Sequence, residues 1–440
     1  MWESHNEFDD ITFVEEEEVS QEVTIQEDQE EPDAVKKVNP LSGLKHQDPL
    51  SLEAFFLDEL TREIGYETDE DAIIDVLPSE KEPPLPNIKR VDLYFEETIP
   101  RMSDAEFREN FRVKRSTLAC LVEILGERDG TFQSHCPINS YMSRERQLLL
   151  ALFYLGSTVS FRKISEQFNM TMSSAFDFID EVVEQLANLK EIFIRMPSTH
   201  QMQGTVDGFY EVSGVQGVLG VVNDCHIPIR KPMHDPETFS NWRGFFSVHL
   251  MTVSDAYDRL TDVCVGWPGG MHEAEVLDSG PLSAQLSRDD MRENFVPGDC
   301  FLVGAETLPL RPWLMTPYRA NRLPPSDARK YYYNTKMEQT AEVGRRAVGV
   351  MRARFRRLSF VDTKSVKKAV MLTCASCVLH NMCLTLEDRW GEELVEEDEV
   401  EGVKRAEGPP GPGGNLAPAG AHRRRNRLVE ELWSQRSRRT

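Results

Sequence analysis

The residues best placed to do chemistry in this chain fall in Gly220-Val-Val-Asn223-Asp224-Cys225-His226-Ile-Pro-Ile-Arg-Lys-Pro232, an apolar run that delivers a carboxylate and then breaks at proline. A carboxylate at a strand tip can hold a divalent cation if other acids converge on it. The remaining polar candidates have plainer readings. His226, His249 and His380 sit in apolar patterns and read as satisfied core histidines rather than ligands. His272 and Glu273 open a helix after Trp267-Pro-Gly-Gly, where capping explains them about as well as catalysis does. Cys374-Ala-Ser-Cys377 spells CxxC, but no second CxxC or paired histidine follows at zinc-site spacing. The run Val370 to Leu384 around it is an apolar helix pattern, so core packing is the expectation for these cysteines. Trp313 reads as a packing anchor.

Strands and helices must position Asp224. From Gly214 the pattern has strand period: Val218–Val222, Phe245–Val253 and Leu260–Gly266, with Asp255–Asp258 as a hairpin turn. A helix begins at His272, a fourth strand spans Asp299–Gly304, and a long helix runs from about Met337 to Arg356. Three antiparallel strands, a helix, a returning strand and a closing helix give the order of an α/β, ribonuclease H-like mixed sheet. Upstream, Ser103-Asp-Ala-Glu106 is a capping box feeding an apolar helix. Helical patterns follow at Arg146–Gly156, Ser160–Phe168 and Met172–Leu186. The last two, joined by Asn169-Met-Thr, have the order of a helix-turn-helix. The residues that would face bases are Met172, Ser173, Ser174, Asp177 and Asp180, with no Arg or Lys to reach a guanine edge or a phosphate. An N-terminal helical subdomain with a structural role is the preferred reading.

The 440 residues carry a formal charge of −24, which argues against a chain that grips nucleic acid over its whole surface. Charge is uneven: no Lys or Arg precedes Lys36, Glu392–Glu401 is a second acidic block, and Arg423-Arg-Arg-Asn-Arg427 begins a basic end. That end reads as a solvated tail, or as an import signal or phosphate contact through Arg423, Arg424 and Arg425. The eight cysteines lie mostly in apolar patterns, as in a reduced intracellular protein. No uncharged apolar run reaches membrane-spanning length, the best, Ala369–Cys383, being interrupted by His380 and Asn381. The expected organisation is an acidic, mostly disordered segment at 1–86 with an amphipathic helix at 48–64, then helices at 87–200. The sheet domain follows at 201–390, then an acidic, Pro/Gly-rich and Arg-rich tail at 391–440.

Several blocks in fixed order resemble the PIF/Harbinger transposase-derived nucleases of the DDE superfamily. They are His226-Ile-x-Ile-x-x-Pro232, Asn241-x-x-Gly-Phe-x-Ser247 and Asp255-Ala-x-x-x-Leu-Thr-Asp-Val-x-Val-Gly-Trp-Pro-Gly-x-x-His272. Further blocks are Leu302-Val-Gly304, Pro309–Tyr318, Tyr333-Asn334, Arg352–Arg356 and Cys377–Cys383. The resemblance implies a divalent-metal nuclease in which three carboxylates hold Mg²⁺ or Mn²⁺ for phosphodiester cleavage. The positions matching those carboxylates here are Asn223, Ala305 and Arg345. An amide is a weak ligand, a methyl none, and a guanidinium repels a cation.

Nearby acids are the substitutes to weigh: Asp224, Glu306 and Glu342. The first two follow the lost positions by one residue on strands, and so point to the opposite face unless a strand end slips; Glu342 is one helical turn before Arg345. The leading expectation is therefore a domesticated, catalytically inactive nuclease-like protein serving as a nuclear binding scaffold, with the cytoplasm as a second compartment. The resemblance implies a Myb/SANT-like DNA-binding protein as partner, with no membrane and only weak direct DNA contact. The rival expectations are a metal-dependent endonuclease using the relocated carboxylates, and a DNA-binding protein using the helix-turn-helix and the Arg-rich end.

Overall fold

The computed structural model describes residues 94–126, 142–319, 321, 323–391 and 418–439. The segment 1–86 with its helix at 48–64, Cys136 and the acidic block 392–401 lie outside the described residues. Labelled here are the elements that bear on the site. The helices upstream of the sheet are α1 (Asp104–Phe111), α2 (Arg115–Gly126), α3 (Arg144–Gly156), α4 (Phe161–Gln167), α5 (Met172–Ala187) and α6 (Thr199–Ser213). Then come β1 (Val218–Pro228), β2 (Ser247–Ser254), β3 (Leu260–Pro268), α7 (Glu273–Ser279) and α8 (Pro281–Leu286). The chain continues through β4 (Phe301–Gly304), β5 (Leu314–Met315), α9 (Ala328–Arg354), α10 (Val366–Thr385) and α11 (Ala419–Arg439).

The five strands form one mixed sheet in the order β3-β2-β1-β4-β5. β1 pairs antiparallel with β2 and β2 with β3, while β4 runs parallel to both β1 and β5. Together with α9 closing one face, this is the α/β, ribonuclease H-like core expected from the element order. The hairpin between β2 and β3 is fixed by Asp255, whose Oδ1 accepts from the Tyr257 and Arg259 amides at 2.8 and 3.0 Å. Asp258 takes the left-handed backbone the turn needs, at φ 68°. The capping box at α1 is present, with the Ser103 amide donating to Glu106 at 2.8 Å and the Glu106 amide donating to Ser103 Oγ at 3.3 Å.

Each sheet face has its own cover. On one side α6, α7 and α8 pack on Leu219, Val222, Met251 and Val253, with Trp313 buried among them. On the other, α9 and α11 cover Val221 and Val303, and α10 covers β3. The largest core joins the upstream helices to the sheet, uniting Phe107, Phe111, Leu148 and Val182 with Ile227, Val248 and Val378. The helical region and the sheet domain therefore share one core across residue 200. Helix α5, second in the helix-turn-helix order, lays its buried face on α3 and α10, and Asp180 pairs with Lys368 at 3.4 Å.

Helix α10 is long and apolar enough to cross a membrane, and it is a core helix, buried along most of its length. Its two polar interruptions are satisfied by the sheet. His380 Nε2 meets the Asp258 carbonyl at 2.8 Å, and Asn381 bonds the Leu260 amide and carbonyl at 2.9 and 2.7 Å. Cys377 is buried and Cys374 half-buried on this helix, both as free thiols.

Three boundaries differ from the sequence reading. β1 continues six residues past Val222, because the full length of β2 pairs with it without a break from Val221 to Pro228. Asp224 is thus inside a ladder and not at a strand tip. α9 starts at Ala328, with Asp327 accepting from the Lys330 amide at 3.3 Å as its cap. The Arg-rich end, read as a tail, is helix α11, which buries Ala421, Leu428, Val429 and Leu432 against α9 and β4. Its apolar stripe recurs at 421, 428 and 432, a helical spacing that the surrounding arginines obscure in the sequence.

Candidate metal centre

Alternation along β1 decides which side chains can meet. Asn223, paired with Thr252, faces the α9 side, whereas Asp224 and His226, paired with Met251 and His249, face α7. On the α9 side, Val222 pairs with Gly304, so Ala305 leaves β4 alongside Asn223. Gly344 brings α9 close: a Cβ there would lie 2.7 Å from Val221 Cγ1 and 3.4 Å from Asn223 Cβ. Arg345 is the next residue, so Asn223, Ala305 and Arg345 stand on β1, the turn after β4 and α9, which meet on this face of the sheet.

This pocket does not suit a divalent cation. Arg345 Nη2 lies 2.8 Å from Glu338 Oε1 and 2.6 Å from Glu342 Oε2, and its Nε donates to the latter at 3.0 Å. The guanidinium thus occupies the acids that a metal would need, and Glu342 is 59% exposed in its grip. Glu306 is half-buried in the turn after β4. The three substitute acids are accordingly not gathered: Asp224 lies beneath the other sheet face, and Glu342 is clamped by Arg345.

On the opposite face the structure assembles a group that the sequence reading did not join. Asp224, His226 and His249 offer ligand atoms all within 4.8 Å of one another. Asp224 Oδ2 is 2.9 Å from His249 Nδ1, with both side chains almost fully buried. His249 Nε2 donates to the Met271 carbonyl at 3.1 Å. His226 Nδ1 is 2.9 Å from Ser247 Oγ, which also accepts from Asn241 Nδ2 at 2.9 Å. Asp224 Oδ1 is buried with no hydrogen-bond partner among the described residues. Glu273, at the start of α7, interacts with both Asp224 and His249 and bonds Thr307. His272 caps that helix, its Nδ1 accepting from the Ala274 amide at 3.1 Å.

The charges follow from burial and neighbours. Burial alone would lower His249, but the charge and hydrogen bond of Asp224, the Met271 carbonyl and Glu273 outweigh it and hold the imidazole above its usual value. Burial, and then the adjacent His249, push His226 down to about 4, so it is neutral. Burial, and then the Asp224 charge, push Glu273 up to about 7. The cluster therefore pairs a buried carboxylate with an imidazole whose protonation it favours, flanked by a neutral imidazole and by a carboxyl that ionises near pH 7. The extension of β1 beyond Val222 and its pairing with β2 bring His226 opposite His249. Periodicity alone does not give that register.

The Arg-rich helix is also placed. Arg424 donates to the Pro312 and Cys300 carbonyls at 2.7 and 2.8 Å, and Arg425 lies over the Tyr318 ring at 3.9 Å. Both serve to hold α11 on the body, while Arg423 is exposed.

Residues 222–381 match the family described as DDE superfamily endonuclease. Over 288 residues the chain is 28% identical to the mouse protein named "Putative nuclease HARBI1", covering 64% of this chain and 78% of the relative. The chain thus carries a region similar to DDE superfamily endonucleases and is similar over most of its length to the Harbinger transposase-derived nucleases. Human HARBI1 is likewise 28% identical over 287 residues, with the same coverage. The Arabidopsis thaliana protein named antagonist of like heterochromatin protein 1 is 24% identical over 319 residues, 68% of this chain and 77% of the relative. No solved structure matches the chain. Similarity to the DDE superfamily suggests divalent-metal use; Asn223, Ala305 and Arg345 are the residues that the sequence resemblance aligns with its ligands.

Proposed function

We propose that this Harbinger-type protein has lost metal-dependent DNA cleavage and acts as a binding scaffold in the nucleus. The observation that carries this is Arg345, seated between Glu338 and Glu342 beside Asn223. A fixed positive charge with two carboxylates already neutralising it disfavours a dication in a pocket that has no other first-rank oxygen ligand. Asp224 offers no relief, since a continuous ladder holds it on the far face.

The scaffold that remains is intact, because the whole sheet and its covering helices are built. The name of the plant relative sets that protein against a heterochromatin protein, which supports a role for this fold in protein interaction rather than cleavage. A Myb/SANT-like DNA-binding protein is the partner that the family resemblance favours, with DNA contact supplied by that partner.

The test is incubation of the purified full chain with supercoiled plasmid in Mg²⁺ and, separately, Mn²⁺. The expected result is no nicking above a metal-free control. Nicking that needs the metal and disappears in D224A or E342A would overturn the proposal and favour the relocated-carboxylate endonuclease. A fluorescent fusion of the full chain tests the compartment, with nuclear enrichment expected.

A further inference from the structure

We propose that Asp224, His226 and His249 form a binding site for one dication of the zinc class, on the sheet face opposite the ancestral pocket. The ligand atoms of the first three already lie within 4.8 Å of one another. Tetrahedral zinc with bonds of about 2.0–2.2 Å sets its ligands roughly 3.3 Å apart, so closure needs side-chain shifts of about 1–1.5 Å.

The outer hydrogen bonds are those a metal-bound histidine uses. A ligating imidazole donates its second ring N–H to a backbone carbonyl or another oxygen, which fixes tautomer and ring plane. His249 does this through Nε2 to the Met271 carbonyl at 3.1 Å, leaving Nδ1 turned to Asp224. His226 engages Ser247 Oγ through Nδ1 at 2.9 Å, which leaves Nε2 as its ligand atom. Ser247 is in turn held by Asn241, a buried amide, at 2.9 Å. Two histidines oriented in this way on adjacent strands are more than a packing accident requires.

An independent observation points into the site. Asp224 Oδ1 has no hydrogen-bond partner among the described residues, and its side chain is only 4% exposed. A buried carboxylate oxygen left bare carries its desolvation cost uncompensated, and a cation removes that cost. Glu273 sits on the first turn of α7, close enough to Asp224 and His249 to interact with both charges. Two imidazoles and a carboxylate select zinc-class ions over Mg²⁺, which takes oxygen and water. The metal displaces the proton shared by His249 Nδ1 and Asp224 Oδ2, and that proton leaves to solvent. The site then clasps β1 and β2, a structural role that needs neither Asn223 nor Arg345.

The test uses the full chain after chelator treatment, titrated with Co²⁺ by visible absorption and with Zn²⁺ by calorimetry. One equivalent of Co²⁺ with the intense bands of tetrahedral coordination is expected, bleached by Zn²⁺. H226Q and H249Q each weaken binding at least tenfold, and N241A, which touches no ligand atom of the metal, weakens it by a similar factor. E342Q, on the other face, leaves it unchanged. Circular dichroism of each variant separates lost binding from lost folding, and H226Q is the variant whose ring makes no ion pair. Absence of stoichiometric Co²⁺ binding, or binding retained in H226Q and N241A, would show a metal-free carboxylate–imidazole pair and overturn the proposal. The inference stands apart from the loss of cleavage: plasmid nicking that survives H226Q and needs Glu342 would overturn the latter alone.

Discussion

Arg345 and Asp224 are the two residues on which the chemistry of this chain turns, and both act by position. Arg345 is a quarter exposed and makes two carboxylate contacts, so its stabilising effect is at the surface scale of about 0.2–1 kcal/mol per pair. R345A should therefore cost about 1 kcal/mol in urea denaturation, with no change in fold. The combined variant N223D/A305D/R345E should show Mg²⁺ binding by calorimetry with none expected for the native chain, because three carboxylates then share the face where β1, β4 and α9 meet. Continued silence would mean that the pocket has closed beyond its ligands. Glu273 gives a pH test in chelator-treated protein. Its folded value of about 7 lies above the ordinary 4.5, so ionisation is penalised in the fold and stability is lost as pH rises through 7. E273Q, which keeps a polar partner for Thr307, should raise the melting temperature at pH 8 and change it little at pH 5.

At the scale of elements, the departures from sequence expectation share one cause. β1, α9 and α11 each extend or exist because a partner covers them, and local propensity does not report a partner. β1 carries Asn223, Asp224 and His226 through its centre, residues that end a strand by propensity, yet β2 supplies an unbroken ladder. α11 has seven arginines in its first half and last turn, Arg423, Arg424, Arg425, Arg427, Arg436, Arg438 and Arg439, and folds as a helix by burying Leu428 and Leu432 on α9. L432A should destabilise the protein by about 2–4 kcal/mol, read from denaturant midpoints at fixed m-value. R423A should leave stability unchanged within about 0.5 kcal/mol. The capping box of α1 and the Asp255 hairpin were legible in advance, since each is a local hydrogen-bond device written within four or five residues.

For the whole molecule, the shared core and one buried carboxylate tie the helical region to the sheet domain. Asp388, fully buried after α10, accepts from the Lys114 amide at 2.6 Å and Thr117 Oγ1 at 2.9 Å. It also pairs with Arg108 at 3.1 Å, while its backbone carbonyl accepts from buried Arg354. D388A removes the carboxylate that the Lys114 amide and Thr117 Oγ1 donate to and that Arg108 pairs with, and should cost about 3–5 kcal/mol. The native chain should unfold with the helical and sheet regions in a single transition, seen as coincident far-ultraviolet and tryptophan signals. Acid should weaken it as well. His226 and His380 are both held near 4 by burial, so the unfolded chain takes up protons first as pH falls below 6.5. Stability present above 6.5 is lost down to about 4, up to about 3 kcal/mol for each histidine. H380Q should give a shallower melting-temperature slope across that window.

The sequence by itself determined the fold class and the order of the strands and the closing helix. These depend on periodicity, short-range turn chemistry and ordered motifs, all of which act along the chain. Only the tertiary structure decided that Asp224 belongs with His226 and His249, that Arg345 is engaged by two glutamates, and that the basic end is a docked helix. Each of those rests on register or on the fit of one buried face against another. A shift of one residue in a ladder reverses every side chain on the strand, and nothing in the composition of β1 fixes which residue of β2 it meets.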